Sequence, residues 1–281
     1  MSVTLSAFGD EIAHDLDEQL VLLSELRVPG LDLRAAWGIN VLQLSDDQAR
    51  QARAACDVAG VHVSALGSPV GKSPLVEPVA LDEQRIRRLI EIGDILACSR
   101  IRIFSWYPDD TSSNEHYDQY VPQVIDRLAA LTAIAADAGF TLLHENERHI
   151  VGDRPERALA FAEAIDSPHF RLIWDPANYV QVGVLNSMQY FEAQADRVDC
   201  VHVKDSRADN SVVPAGEGEG QFPELMAVLR ERDFDGVLAL EPHLKLAAHS
   251  IGFSGPDGMT RAVNALRAVI ADAGLEERRF V

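Results

Sequence analysis

Cysteine is scarce in this chain, with Cys56, Cys98 and Cys200 the only three in 281 residues. They are far apart and form no CxxC pair. That excludes a disulfide framework and a thiolate zinc site, and makes a reducing, cytoplasmic setting the expectation. Basic residues are also short: 25 Lys and Arg face 44 Asp and Glu, for a formal net charge of −19. Such a surface repels nucleic-acid backbones and anionic membranes, so neither is an expected partner. No run approaches the roughly 20 apolar residues of a membrane span. The stretch Met1 to Glu11 has neither the basic region nor the apolar run of a secretory signal. Linker-like and low-complexity segments are missing too, so residues 1–281 read as a single domain.

What the chain has is a recurring pair of patterns. Short apolar strands are expected at Val3–Phe8, Leu31–Leu33, Val61–Leu66, around Arg102–Phe104, and at Phe140–Glu147, Arg171–Trp174, Val198–Val203 and Val237–Leu240. Between them apolar residues recur at helical spacing, as in Leu16, Leu20 and Leu23 or Val121, Val124, Ile125 and Leu128. Ser45 is a suitable cap for a helix that stops at Gly60. The sixth helix is expected within Asn186–Gln194 and the last over Thr260–Ala273. Parallel strands need a crossover of this kind between them. Eight strand-then-helix units in a chain of this length predict an α/β fold, the (β/α)8 TIM barrel. A doubly wound open sheet is the alternative. It would favour a glycine-rich first turn, whereas the first turn here is Gly9-Asp10-Glu11-Ile12.

The fifth strand ends in two acids, Glu145 and Glu147, which share one strand face. Three later strands end in the same manner, at Asp175, His202 and Glu241. In a barrel the chemistry sits at the C-terminal ends of the strands. Glu11, Arg34 and Lys72 belong to that end as well. Adjacent strands lie about 4.8 Å apart, so Glu145, Asp175, His202 and Glu241, from four successive strands, can meet at one point. Three carboxylates crowded there repel, and a divalent cation would relieve them. The oxygen and nitrogen donors suit Mn²⁺, Mg²⁺, Co²⁺ or Zn²⁺. The competing reading is that each acid merely caps the helix that follows its strand.

Six motifs carry a family resemblance: Phe8-Gly9-Asp10-Glu11-Ile12, Gly67-Ser68-Pro69-Val70-Gly71-Lys72, His144-Glu145-Asn146-Glu147, Asp175-Pro176-Ala177-Asn178, His202-Val203-Lys204-Asp205 and Glu241-Pro242-His243. By these the chain resembles the sugar phosphate isomerase/epimerase family of xylose isomerase-like TIM barrels. The resemblance implies that Glu145, Asp175, His202 and Glu241 are metal ligands. It also implies that Glu145 and Glu241 are the catalytic pair that moves protons. Arg207 resembles the family's substrate-contacting arginine, and Asn178 stands where some family epimerases have histidine. Pairing into a homodimer is an expectation by analogy with the family alone.

The residues suggest the chemistry. A ketose offers a carbonyl and a neighbouring hydroxyl to one cation, which acidifies the C–H between them. One glutamate removes that proton, an enediolate forms, and the other glutamate returns a proton. The expected partner is a small sugar or polyol ketone, and the expected activity is isomerisation or epimerisation. A dehydratase or lyase acting on an inosose or 3-keto-glycoside is the alternative. A DNA-repair phosphodiesterase would need more histidine ligands and a basic groove, and a binding protein without chemistry would not need the four donors. Arg34, Lys72, Asn178, Lys204 and Arg207 are the candidate substrate contacts. Gly216 to Gly220 reads as a mobile loop, with Glu217 near substrate hydroxyls. Trp37 and Trp106 are candidate pocket walls and Trp174 a core residue. Glu276 to Arg279 reads as a solvated charge run.

Overall fold

The computed structural model describes residues 2–109, 114–247 and 250–278. Eight strands form β1 (Ser2–Phe8), β2 (Gly30–Leu33), β3 (His62–Leu66), β4 (Arg100–Ile103), β5 (Thr141–Glu145), β6 (Phe170–Trp174), β7 (Val198–Val203) and β8 (Val237–Leu240). Each pairs in parallel with the next. β8 returns to β1, with Thr4 opposite Val237 and Ala7 opposite Leu240. The sheet is therefore closed, and the expected (β/α)8 barrel is the fold; the open sheet is excluded.

The outer layer holds α1 (Leu16–Glu25), α2 (Asp46–Ala59), α3 (Val79–Leu96), α4 (Val121–Asp137), α5 (Pro155–Ile165), α6 (Pro176–Gln181), α7 (Met188–Gln194), α8 (Phe222–Glu231) and α9 (Gly255–Ala273). The ends of α2 follow the sequence. Ser45 and Gln48 exchange side-chain-to-backbone bonds, and Gly60 closes the helix at φ 67°. The sixth helix expected within Asn186–Gln194 is α7, and a further short helix, α6, precedes it. α9 begins at Gly255, five residues before Thr260. Its Gly-Pro-Asp-Gly opening has turn composition, but a proline in the first turn loses no intrahelical bond. No helix among the described residues is long and apolar enough to cross a membrane.

Alternation along each strand divides the buried residues in two. Outward side chains such as Val3, Leu5, Leu142 and Leu172 join the helices in the main core. Inward ones make a small apolar layer of Ala65, Leu143, Ile173, Cys200 and Ala239. The next inward position on β5, β7 and β8 is Glu145, His202 and Glu241. The apolar layer thus forms a floor, and polar side chains fill the mouth above it.

The acids at the C-terminal end of the chain are not simply a solvated run. Glu276 and Glu277 lie parallel to Ser2 and Val3 at the edge of β1, and Glu277 pairs with Arg267 at 2.7 Å. Arg279 lies outside the described residues.

β1 and β2 approach closely because Gly30 has no side chain. A Cβ there would lie 2.6 Å from Ser6 Cβ and 3.0 Å from the Leu5 carbonyl oxygen. Gly30→Ala is expected to destabilise the barrel by about 1–3 kcal/mol, seen as a lower denaturation midpoint. A melting curve superimposable on the wild type would contradict this packing.

Candidate metal centre

Four strand ends deliver four donors to one place. Glu145 is the last residue of β5, Asp175 follows β6, His202 is in the last turn of β7's pleat, and Glu241 follows β8. One donor atom from each lies within 4.8 Å of the others, and all four residues are buried. His202 Nδ1 stands 3.2 Å from Glu145 Oε1 and 3.7 Å from Glu241 Oε2. Asn146 fixes the end of β6 by donating to the Asp175 carbonyl and accepting from its N–H, both at 2.9 Å.

Asp175 joins the two competing readings of a strand-end acid. Its Oδ1 accepts the Asn178 N–H at 3.0 Å and caps α6. Its Oδ2 faces the cluster, 2.9 Å from Lys204 Nζ. One carboxylate both caps a helix and belongs to the site.

The repulsion expected among the carboxylates is relieved by protein cations, which corrects the electrostatic part of the sequence argument. Arg102 Nη1 lies 3.2 Å from Glu145 Oε2 and 3.6 Å from Glu241 Oε1. Lys204 Nζ holds Asp175 and also lies 3.4 Å from Glu241 Oε2. Arg34 Nη1 donates to Glu241 Oε1 at 2.7 Å, and its Nε to Asp10 at 2.7 Å. Burial pushes the Glu145 carboxyl up, but His202 and Arg102 together outweigh it and hold it at about 2. At Glu241 burial is likewise overcome by Lys204, His243 and Arg34, which hold it well below the usual range. At Asp175 burial wins over Lys204 and raises the carboxyl to about 6. Burial opposes the charge on His202, yet Glu145 raises it well above its ordinary value.

A divalent cation nevertheless fits. Buried Glu145 Oε2 and His202 Nδ1 have no hydrogen-bond partner. Donors sharing one cation with bonds of about 2.1 Å stand roughly 3.0–3.4 Å apart, and the 3.2 Å between His202 and Glu145 matches that spacing. A proton on His202 would have to leave for Nδ1 to bind a cation.

The candidate substrate contacts separate into groups. Arg34, Lys204 and Asn178 touch the donors themselves. Asn178 Nδ2 donates to Asp175 Oδ2 at 3.0 Å and to Glu145 Oε1 at 3.3 Å. Lys72 lies farther out, 2.6 Å from Glu147 Oε2 and over the Phe104 ring. Glu147 also accepts the Arg148 N–H at 2.8 Å. Arg207 is exposed on the loop after β7, where its N–H bonds the Ser211 carbonyl, and its side chain is not brought to the cluster. Arg102 was missed in the sequence. It is buried, with its guanidinium between the Phe8 and Phe104 rings at 5.0 and 4.8 Å. The available signal was Arg100-Ile101-Arg102-Ile103, which sets two cations on the inward face of a buried strand.

Trp106 does not wall the mouth. It is fully buried and donates Nε1–H to Asp82 at 2.7 Å. Trp174 is in the core, as expected, against Tyr179 and Phe191. Trp37 is half-buried in the loop after β2.

The Gly216–Gly220 loop is a cradle around a side chain. The Asp205 carboxylate accepts the N–H groups of Gly216, Gly218 and Gly220 at 2.9, 3.0 and 2.9 Å, and that of Ser206 at 2.8 Å. A Cβ at Gly218 would lie 2.4 Å from Asp205 Oδ1. Glu217 turns to Arg261 on α9 at 2.9 Å, which replaces the expected contact with substrate.

Residues 25–269 match the family described as xylose isomerase-like TIM barrel. The uncharacterized protein MJ1311 of Methanocaldococcus jannaschii is 28% identical over 138 residues, 45% of this chain and 46% of that protein's length. A D-tagatose 3-epimerase-like protein superposes with a TM-score of 0.78 at 18% identity, over 97% of this chain and 98% of its own. The probable 3-DHS dehydratase AsbF of Bacillus anthracis superposes with a TM-score of 0.72 at 15% identity, over 95% of this chain and 99% of its own. At these identities the two structures speak to the fold.

Asp205→Ala should free the three glycine N–H groups. Losing hydrogen bonds to a charged group, at about 1.5–3 kcal/mol each, should speed amide exchange at Gly216, Gly218 and Gly220 roughly tenfold or more. Unchanged exchange would show that something else holds the loop.

Proposed function

Because the chain belongs to the xylose isomerase-like TIM barrel family, we propose that it is a divalent-metal-dependent enzyme that isomerises or epimerises a keto-sugar or related polyol ketone. The observation that carries this reading is the convergence of Glu145, Asp175, His202 and Glu241 in one buried group. These four would hold the cation, Mn²⁺, Mg²⁺, Co²⁺ or Zn²⁺. When bound, the cation polarises the substrate carbonyl and acidifies the adjacent C–H.

The side chains divide the remaining work. His202 and Asn178 both engage Glu145 Oε1, at 3.2 and 3.3 Å. Oε2 has no hydrogen bond and is the oxygen that takes the proton. The enediolate left on the substrate is stabilised by Arg102, whose Nη1 lies beside both glutamates. Glu241, ionised at rest, must first take up a proton from solvent before it returns one to the substrate. Delivery to the opposite face of the same carbon gives an epimer, and delivery to the neighbouring carbon gives an aldose. Lys204, between Asp175 and Glu241, can donate to a substrate oxygen.

The likeness to a probable dehydratase favours a second reading, elimination. Removal of the same proton then leads to loss of a β-hydroxyl, and the product distinguishes the two.

Glu145→Gln and Glu241→Gln are expected to keep the wild-type circular dichroism. With a panel of ketoses and inososes in D₂O, each should slow α-proton exchange by about 10²–10⁴-fold. Full exchange in both variants on a substrate that the wild type turns over would refute the assignment.

A further inference from the structure

A second group of donors adjoins the first. Glu11 follows β1 in a short helical turn and is fully buried. Ser254 Oγ donates to its Oε2 at 2.7 Å, and the His243 N–H donates to the same oxygen at 2.9 Å. Both bonds fix one oxygen and leave Oε1 with no hydrogen-bond partner. His243 Nε2 faces that oxygen at 3.1 Å and is equally without a hydrogen bond. The same Nε2 lies 3.5 Å from Glu241 Oε1. Donor atoms of Glu11, Glu241 and His243 all lie within 4.8 Å of one another.

Two physical features distinguish this group from a simple buried acid and histidine. First, Glu145, Glu147, Asp175 and Glu241 each have a lysine or arginine in ion-pair contact. Among the described residues none lies within that distance of Glu11, whose ion pair is with His243 alone. Second, the 3.1 and 3.5 Å separations resemble the roughly 3.0–3.4 Å between donors on one cation whose bonds are about 2.1 Å. His243 holds this position with a left-handed backbone, φ 48°, which residues other than glycine seldom adopt and which clusters at functional sites. Arg34 does not block the site, since a carboxylate oxygen with two lone pairs can accept its N–H and still bind an ion.

We propose that Glu11, His243 and Glu241 form a second divalent-cation site, with Glu241 shared between it and the four-donor cluster. The proposal rests on the reading above in taking Glu241 as a ligand. Two oxygen donors and one imidazole suit Mn²⁺, Co²⁺ or Zn²⁺. His243 is 19% exposed, so the group can be reached from the mouth.

The test is Mn²⁺ titration of chelator-treated full-length protein, followed by calorimetry and electron paramagnetic resonance. The wild type should bind two equivalents and give the spectrum of a spin-coupled pair. Glu11→Gln and His243→Ala should each bind one equivalent, with the spectrum of an isolated ion. Asp175→Asn, which alters a donor of the first cluster alone, should also keep one. If Glu11→Gln does not fold, the partly exposed His243→Ala decides. A wild type that binds one equivalent, unchanged in His243→Ala, overturns the second site and leaves the first intact. A wild type that binds no Mn²⁺, Co²⁺ or Zn²⁺ overturns both.

Discussion

Buried carboxylates can share a barrel mouth only if opposite charge lies within contact of each. An unpaired buried ion costs several kcal/mol even after the protein relaxes. Here Arg102 meets Glu145, Lys204 meets Asp175, and Arg34 meets Glu241. The acids come from the ends of β5, β6 and β8, and the cations from β4, β7 and the residue after β2. No local segment supplies both partners of any one pair. Barrel closure is therefore a condition for the site, because an open sheet would part the end of β8 from β2.

The same arrangement holds parts of the mouth in place from outside the cluster. Asp175 caps a helix with one oxygen and joins the cluster with the other, while Asn146 clamps its backbone on both sides. Arg102 lies between two aromatic rings. Arg34, too, is held from outside the cluster, by Asp10. Geometry of this kind can be ready for a ligand before the ligand arrives, which reduces the entropy cost of binding.

The barrel and the four central donors were legible in the sequence because both depend on short-range patterns. Strand length, the period-2 alternation and an acid at a strand end can be read within six or seven residues. Other features depended on contacts between distant segments. Arg102 looked like one more residue of a strand until β4 was placed beside Glu145. The charge balance was misjudged for the same reason: the acids were visible as a group and their cations were scattered. α6 is only six residues long, too short to show a helical period. The start of α9 was hidden by Gly255-Pro256-Asp257-Gly258, a composition that suits a turn as well as a first helical turn. Arg207 could not be placed because nothing local determines how an exposed loop folds back.

The loop that wraps Asp205 has a backbone divided by parity. Its even positions, Gly216, Gly218 and Gly220, turn their N–H groups inward to one carboxylate, and Gly216 needs φ 86°. Its odd positions, Glu217 and Glu219, carry exposed side chains. Tolerance to substitution therefore alternates residue by residue. The odd sites are open to almost any side chain, while the even ones admit hardly any. Such a loop is a ready frame for diversification, since a library confined to positions 217 and 219 would vary the chemistry of the rim over an unmoved backbone.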